Sequence, residues 1–402
     1  MYHVLSDDVL VDALTKLEQL IAFETISARS NLDLVAWAAG FFAANGASLR
    51  YTFDDTKTKA NLLATIGPNV PGGVVLSGHT DVIPVEGQHW TSDPLRLTRR
   101  GDRLLGRGTA DMKGFLAACL AVLPLAASRT LQRPIHFAFS YDEEVGCLGV
   151  PRLVDDLTEA LPKPAFAIIG EPTMMQLVTA HKGCCVFETR FLGREAHSSM
   201  AHFGVSASVH AASFVTYLDQ RFAAERRSET GVPGLVPPYS TFNVGVFECG
   251  TAMNIIPRDA RLAWEYRAIP ELDTHSFTRS VLAHLDETIL PRMRQNFPEA
   301  AISTRKIAEV PVLDPRLNRD ARDLVSAIGG FNSEGSVAFG TEAGFFQRAG
   351  IPSVVCGPGS VDVAHRPDEY VDVDQMRQAT VFLEKVVDWA ATWPRERQRG
   401  KT

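Results

Sequence analysis

A chain of 402 residues with 45% hydrophobic and 22% charged positions can build two domains with a sizeable core, and its composition is that of ordinary soluble globular proteins. A formal net charge of −7 at pH 7 removes the electrostatic basis for binding nucleic acid or an anionic membrane surface. No apolar run approaches the roughly 20 residues that span a bilayer, so no membrane partner is expected.

The N-terminal MYHVLSDDVLVDALTKLEQL carries acids early and lacks a basic segment followed by an apolar core. It does not read as a signal peptide, and a cytoplasmic location is expected. Within it, DDVLVDALTKLEQLIAF has helical spacing, with Ser6 or Asp7 as the cap. NLLATIG, GGVVLSG, PIHFAFS and AFAIIG read as short buried strands, with helices MKGFLAACLAVLPLAA and GVPRLVDDLTEAL among them. Such alternation predicts an α/β fold, a mostly parallel sheet sandwiched by helices.

Near residue 182 the pattern changes. CCVFETRFLG alternates like a half-exposed strand, followed by helical GVSASVHAASFVTYLDQRF, the strands STFNVGVFECG and ARLAWEYRAI, and helical THSFTRSVLAHLDETIL. This reads as a smaller α+β domain with an antiparallel sheet, inserted over residues 182–293. The main domain is then expected over residues 1–181 and 294–402, closing with RDARDLVSAI, PSVVCGPG and the long helix DVDQMRQATVFLEKVVDWAA; the polar tail WPRERQRGKT reads as a frayed end. The six cysteines show no CxxC pairing and fit free thiols, with Cys184 and Cys185 packing on a strand.

Several strand ends carry chemistry. VVLSGHTDVIPV ends a buried run at His79 and Asp81, two positions apart and so on one face of an extended chain. GRGTADMKGF places Asp111 between a glycine-rich turn and a helix. FAFSYDEEVGCLG ends at Asp142, Glu143 and Glu144, FAIIGEPT at Glu171, and GPGSVDVAHRPDEYV carries His365 in a loop. A single such ending reads as a structural histidine or a solvated turn. Five at the expected carboxyl edge of one sheet point to a ligand site. Converging carboxylates repel one another, and a bound cation relieves them. Two imidazoles with three or four carboxylates suit zinc, cobalt or manganese better than calcium, and the lack of cysteine argues against a structural zinc site.

Together, SGHTDVIPV, GRGTADMKGF, YDEEVGCLG, GEPT and AHRPDEYV resemble the M20 family of binuclear zinc amidohydrolases and exopeptidases, and within it the acetylornithine deacetylase branch. The similarity runs in order from about residue 60 to 375. It implies two Zn²⁺, with Co²⁺ or Mn²⁺ as alternatives. His79 and Glu171 would hold the first ion, Glu144 and His365 the second, and Asp111 would bridge them. Asp81 would accept a hydrogen bond from the other nitrogen of His79 and fix its tautomer. Glu143 would be the general base, taking a proton from a metal-bridging water and passing it to the departing amine; read from the residues alone, it is equally a further ligand or a turn acid. Asp142 is assigned to the turn.

In the inserted domain the resemblance implies that His197 stabilises the tetrahedral oxyanion, often in the partner subunit's site, and hence a homodimer formed through that domain. The other reading of His197 is a helix-capping surface residue. The family usually has proline two residues after the serine pair, where this chain has Ala201. Asn254 and Arg267 match a segment that approaches substrate, the arginine suiting an α-carboxylate, although Arg267 also reads as an exposed strand residue. Gly340, Thr341 and Glu342 match a turn lining the substrate end of the pocket, with Glu342 facing a cationic side chain or capping the next helix. The glycines of GPG at 357–359 are expected to let the backbone approach substrate.

The implied activity is hydrolysis of an N-acyl-amino acid, foremost N²-acetyl-L-ornithine to L-ornithine and acetate, a step of arginine biosynthesis. N-acetylcitrulline, N-succinyl-diaminopimelate or a dipeptide are the alternatives in substrate. A non-catalytic metal-binding scaffold is the alternative in class.

Overall fold

The computed structural model describes residues 2–392 apart from 28, 229 and 233, and side chains from residue 7 onward; the expected frayed tail lies outside them. Two compact units emerge. The first comprises Met1–Ala180, Asp314–Gly335 and Thr341–Thr402, the second His181–Leu313 and Ser336–Gly340.

The first unit is built on a mixed sheet. Seven of its strands run, in spatial order, Ser48–Phe53, Ala60–Ile66, Ile135–Ser140, Val74–His79, Phe166–Ile169, Ser353–Val355 and Val178–His181. Its centre is parallel: Val74–His79 pairs in parallel with Ile135–Ser140 and Phe166–Ile169, and Phe166–Ile169 with Ser353–Val355. The flanking pairs are antiparallel. All four central strands are buried along their whole length, which is why their sequences read as continuous apolar runs rather than as alternation. Helices flank the sheet. Lys113–Ser128 is buried over most of its length, and Tyr2–Ile21 and Val373–Ala391 pack against it.

The first helix begins at Tyr2, so Ser6 and Asp7 lie inside it and not at its start. The preceding residues contain no glycine or proline to stop the helix, and a capping residue acts only where the chain before it is non-helical. Helix Leu32–Ala44 and strand Ser48–Phe53 add a hairpin-like edge that the sequence pattern did not announce.

The second unit is an antiparallel four-stranded sheet in the order Thr241–Cys249, Asp259–Ala268, Gly183–Leu192, Ala301–Val310. Asp259–Ala268 alternates buried and half-buried positions almost without exception. Its Trp264 stacks on Phe187 with ring centroids 4.5 Å apart, in a core shared with Phe214, Phe222 and Phe277 from helices Ala207–Ser228 and Thr274–His284. The expected end of this domain at residue 293 falls short. Strand Ala301–Val310 pairs with Gly183–Leu192 and carries the unit to Leu313. It is an edge strand with mostly exposed or half-exposed side chains, so its sequence lacks the apolar signature of a core strand.

Candidate metal centre

The parallel centre of the sheet sends its carboxyl ends to one edge, where open α/β sheets gather ligands. His79 is the last residue of its strand. Ile135–Ser140 runs into the turn holding Asp142, Glu143 and Glu144, and Phe166–Ile169 runs through Gly170 into Glu171. A Cβ at Gly170 would lie 1.9 Å from the Phe115 ring, so only glycine lets the chain cross the helix here and deliver Glu171. Asp111 precedes helix Lys113–Ser128, and His365 sits in a loop with φ 63°, a left-handed conformation uncommon outside glycine.

These side chains converge. One carboxylate oxygen of Asp111 lies 3.0 Å from Nε2 of His79, the other 3.3 Å from Nε2 of His365. Glu171 lies 3.7 Å from Nε2 of His79, and Glu144 2.9 Å from Nε2 of His365. Asp111 therefore stands between two imidazoles, each with a further carboxylate. The potential ligand atoms of His79, Asp111 and Glu144 fall within 4.8 Å of one another, and so do those of His79, Glu143 and Glu171. His79 is buried, whereas half of the His365 side chain is exposed, so the cluster opens on that side.

The electrostatics match this crowding. Burial, and next the Asp111 charge, push the Glu171 carboxyl well above its ordinary range. Burial also raises Glu143 to about 8 and Glu144 to about 7. Hydrogen bonds to Asp111 and Glu144 lift His365 to about 10. For His79 burial alone would lower the pKa, but the bond to Asp111 and the charges of Glu171 and Glu143 carry it well above normal. Acids that hold protons and imidazoles that gain them are the response of too many anions in one buried volume. Divalent cations let all the carboxylates ionise together. The donor set of two imidazoles and three carboxylates, without thiolate, fits two borderline cations.

Asp81 departs from its expected contact. Nδ1 of His79 hydrogen-bonds the Asp81 main-chain carbonyl at 2.9 Å, and the nearest carboxylate oxygen is 3.7 Å away. The carboxylate instead accepts from Ser27 Oγ (2.7 Å) and from the backbone amides of Glu143 (3.1 Å) and Glu144 (3.3 Å). His79 is still fixed in orientation, by a carbonyl, while the Asp81 carboxylate holds the neighbouring turn. On that turn Glu143 accepts a hydrogen bond from Cys147 Sγ at 3.3 Å.

Glu342 is corrected outright. It is fully buried, accepting from Ser77 Oγ at 3.2 Å and Ser140 Oγ at 2.5 Å, and its side chain makes no cap. It braces two strand ends and cannot face a substrate's cation. Thr341 is buried too and accepts from the Ala343 amide, while Gly340 belongs to the second unit. The GPG glycines approach the protein's own backbone: a Cβ at Gly357 would lie 2.0 Å from the Gly170 carbonyl, and one at Gly359 3.0 Å from the Ala110 Cα.

In the second unit, His197 is exposed and takes the capping geometry, its Nδ1 2.8 Å from Ser199 Oγ and accepting from the Ser199 amide. The Asn254 carbonyl accepts from the Ser198 amide, and Arg267 pairs with Glu265 at 3.0 Å. Sequence reasoning missed Glu369. It is wholly buried, pairs with Arg107 at 2.6 Å, and accepts from the amides of Gly108, Ala110 and Asp111 at 2.9–3.1 Å. Its only signal was its place four residues after His365 in AHRPDEYV.

The profile of peptidase family M20/M25/M40 matches residues 75–389. An acetylornithine deacetylase of Myxococcus xanthus is 34% identical over 386 residues, covering 94% of this chain and 98% of its own. One from Photorhabdus laumondii subsp. laumondii is 32% identical, covering 92% and 95%. Among solved structures, an M20 family metallo-carboxypeptidase from Sulfolobus solfataricus superposes with a TM-score of 0.72 at 18% identity, over 94% of this chain and 99% of that one. A Bacillus subtilis protein described as a dinuclear metal binding peptidase gives 0.62 at 13% identity, over 94% and 97%. These structures share the fold. No helix among the described residues is long and apolar enough to cross a membrane.

Proposed function

Because the chain belongs to peptidase family M20/M25/M40 and is a hydrolase of amide bonds, we propose that it deacylates N-acyl-amino acids, foremost N²-acetyl-L-ornithine, to release L-ornithine and acetate. The observation that carries this reading is Asp111, whose two oxygens face two different imidazoles, each backed by its own carboxylate. That is the arrangement of a bridging ligand between paired cations. His79, Asp111 and Glu171 would hold one ion, and Asp111, Glu144 and His365 the other, with zinc foremost and cobalt or manganese suiting the same donors. When bound, such ions polarise an amide carbonyl and acidify water.

The chain's own residues then divide the remaining work. Glu143 takes a proton from the attacking water and returns it to the nitrogen of the departing amine. Asp81 holds the amides of Glu143 and Glu144, so the base and its neighbouring ligand are mounted on one braced turn. In the second unit His197 would stabilise the oxyanion and Asn254 and Arg267 would meet the substrate's polar groups, in a homodimer. Exposed Met200, Phe203, Phe247, Met253 and Ile255 in that unit support such pairing.

Two experiments test this. Amine release by zinc- or cobalt-loaded protein is expected to be most efficient with N²-acetyl-L-ornithine, compared with N-acetylcitrulline, N-succinyl-diaminopimelate and a dipeptide. Preference for another of these moves the substrate. Silence on all, with two ions bound, favours a non-catalytic scaffold. His197→Ala is expected to lower kcat by about 10²–10³-fold at unchanged metal content, and a fully active variant would remove the oxyanion role.

A further inference from the structure

The turn that carries Glu143 is anchored from outside its own motif, by Lys59. Asp142, just before the base, has φ 55°, a left-handed conformation that persists only where the surroundings enforce it. Lys59 enforces it. Its Nζ lies 2.5 and 2.6 Å from the two Asp142 carboxylate oxygens, and both side chains are nearly buried, 14% and 11% exposed. The same ammonium also donates to the main-chain carbonyl of Ser27. Ser27 Oγ in turn donates to Asp81 at 2.7 Å, and Asp81 accepts from the amides of Glu143 and Glu144. Lys59 thus closes a ring: through Asp142 it grips the turn from one side, and through Ser27 and Asp81 from the other.

We propose that Lys59 is a positioning residue for the hydrolysis, holding the backbone on which Glu143 is mounted; this rests on Glu143 being the base. Lys59 lies in the loop that enters strand Ala60–Ile66, and its own amide donates to Asp54 at 2.8 Å. The ammonium therefore projects from a braced segment. Hydrogen bonds to ionised groups are the stronger kind, and a nearly buried pair is little screened by salt. Loss of the ammonium leaves Asp142 without its cation and lets the turn relax. A misplacement of about 1 Å at a reacting group is enough to cost on the order of 10²-fold in rate.

The test compares Lys59→Met and the milder Asp142→Asn in metal-loaded protein. Four readouts are used: kcat and KM on an N-acyl-amino acid, metal stoichiometry, hydrogen exchange of the 141–149 peptide, and a cycle with Glu143→Gln. Both variants are expected to lose about 10- to 100-fold in kcat with KM within about twofold, to keep both ions, and to exchange faster over 141–149. In the Glu143→Gln background Lys59→Met should add no further loss, because it acts through the base. Either folded variant at wild-type kcat overturns the proposal. So does a loss of rate that tracks loss of a metal ion, or one that persists in full without Glu143. Full activity of Glu143→Gln by itself would overturn the reading beneath it, and the cycle reports that separately.

Discussion

Glu143→Gln is expected to retain both metal ions and lose kcat by about 10²–10⁴-fold, the contribution typical of a positioned general base. Glutamine keeps the shape of the side chain and an oxygen for the Cys147 thiol, whose Sγ lies 3.3 Å from the carboxylate. Asp111 and the four residues that converge around it, His79, Glu144, Glu171 and His365, are untouched. An interaction made only in the transition state lowers kcat and kcat/KM together, so equal losses in both are expected. Two outcomes would sink the assignment. Unchanged turnover removes Glu143 as base. Loss of an ion along with turnover makes it a ligand, which its closeness to His79 and Glu171 permits.

The second large effect is expected at Glu369 and falls on stability and metal retention. Its carboxylate is fully buried with the Arg107 guanidinium and receives the amides of Gly108, Ala110 and Asp111. Glu369→Ala strands an arginine charge and orphans those amides. Breaking a buried ion pair from one side costs about 3–5 kcal/mol. Asp111 hangs on the loop that Glu369 holds, so metal affinity should fall as well. The check is the urea midpoint of metal-free protein together with zinc affinity, for Glu369→Ala and for Arg107→Met. A midpoint within error of wild type in both would show that the loop holds itself.

The sequence alone determined the site's first layer, and the reason is local. Val74–His79, Ile135–Ser140 and Phe166–Ile169 are buried throughout, and a strand covered on both faces must be written as an unbroken apolar run. Each run stops where the chain leaves the sheet, so His79 at the last position of its strand and Asp142, Glu143, Glu144 and Glu171 just beyond theirs stand out. Central parallel strands put those ends on one edge.

Tertiary structure decided the supports. Lys59 meets Asp142 across 83 residues, Arg107 meets Glu369 across 262, and Ser77 meets Glu342 across 265. No periodicity spans such separations, and nothing in either local sequence names the partner. Glu342 is the sharpest instance, since its motif pointed to substrate while its burial makes it a brace. Strand Ala301–Val310 escaped for a related reason, because an edge strand is held by its neighbour's backbone and needs no apolar pattern of its own. Which acids bind a ligand and which hold the scaffold is set by what the folded chain places against them.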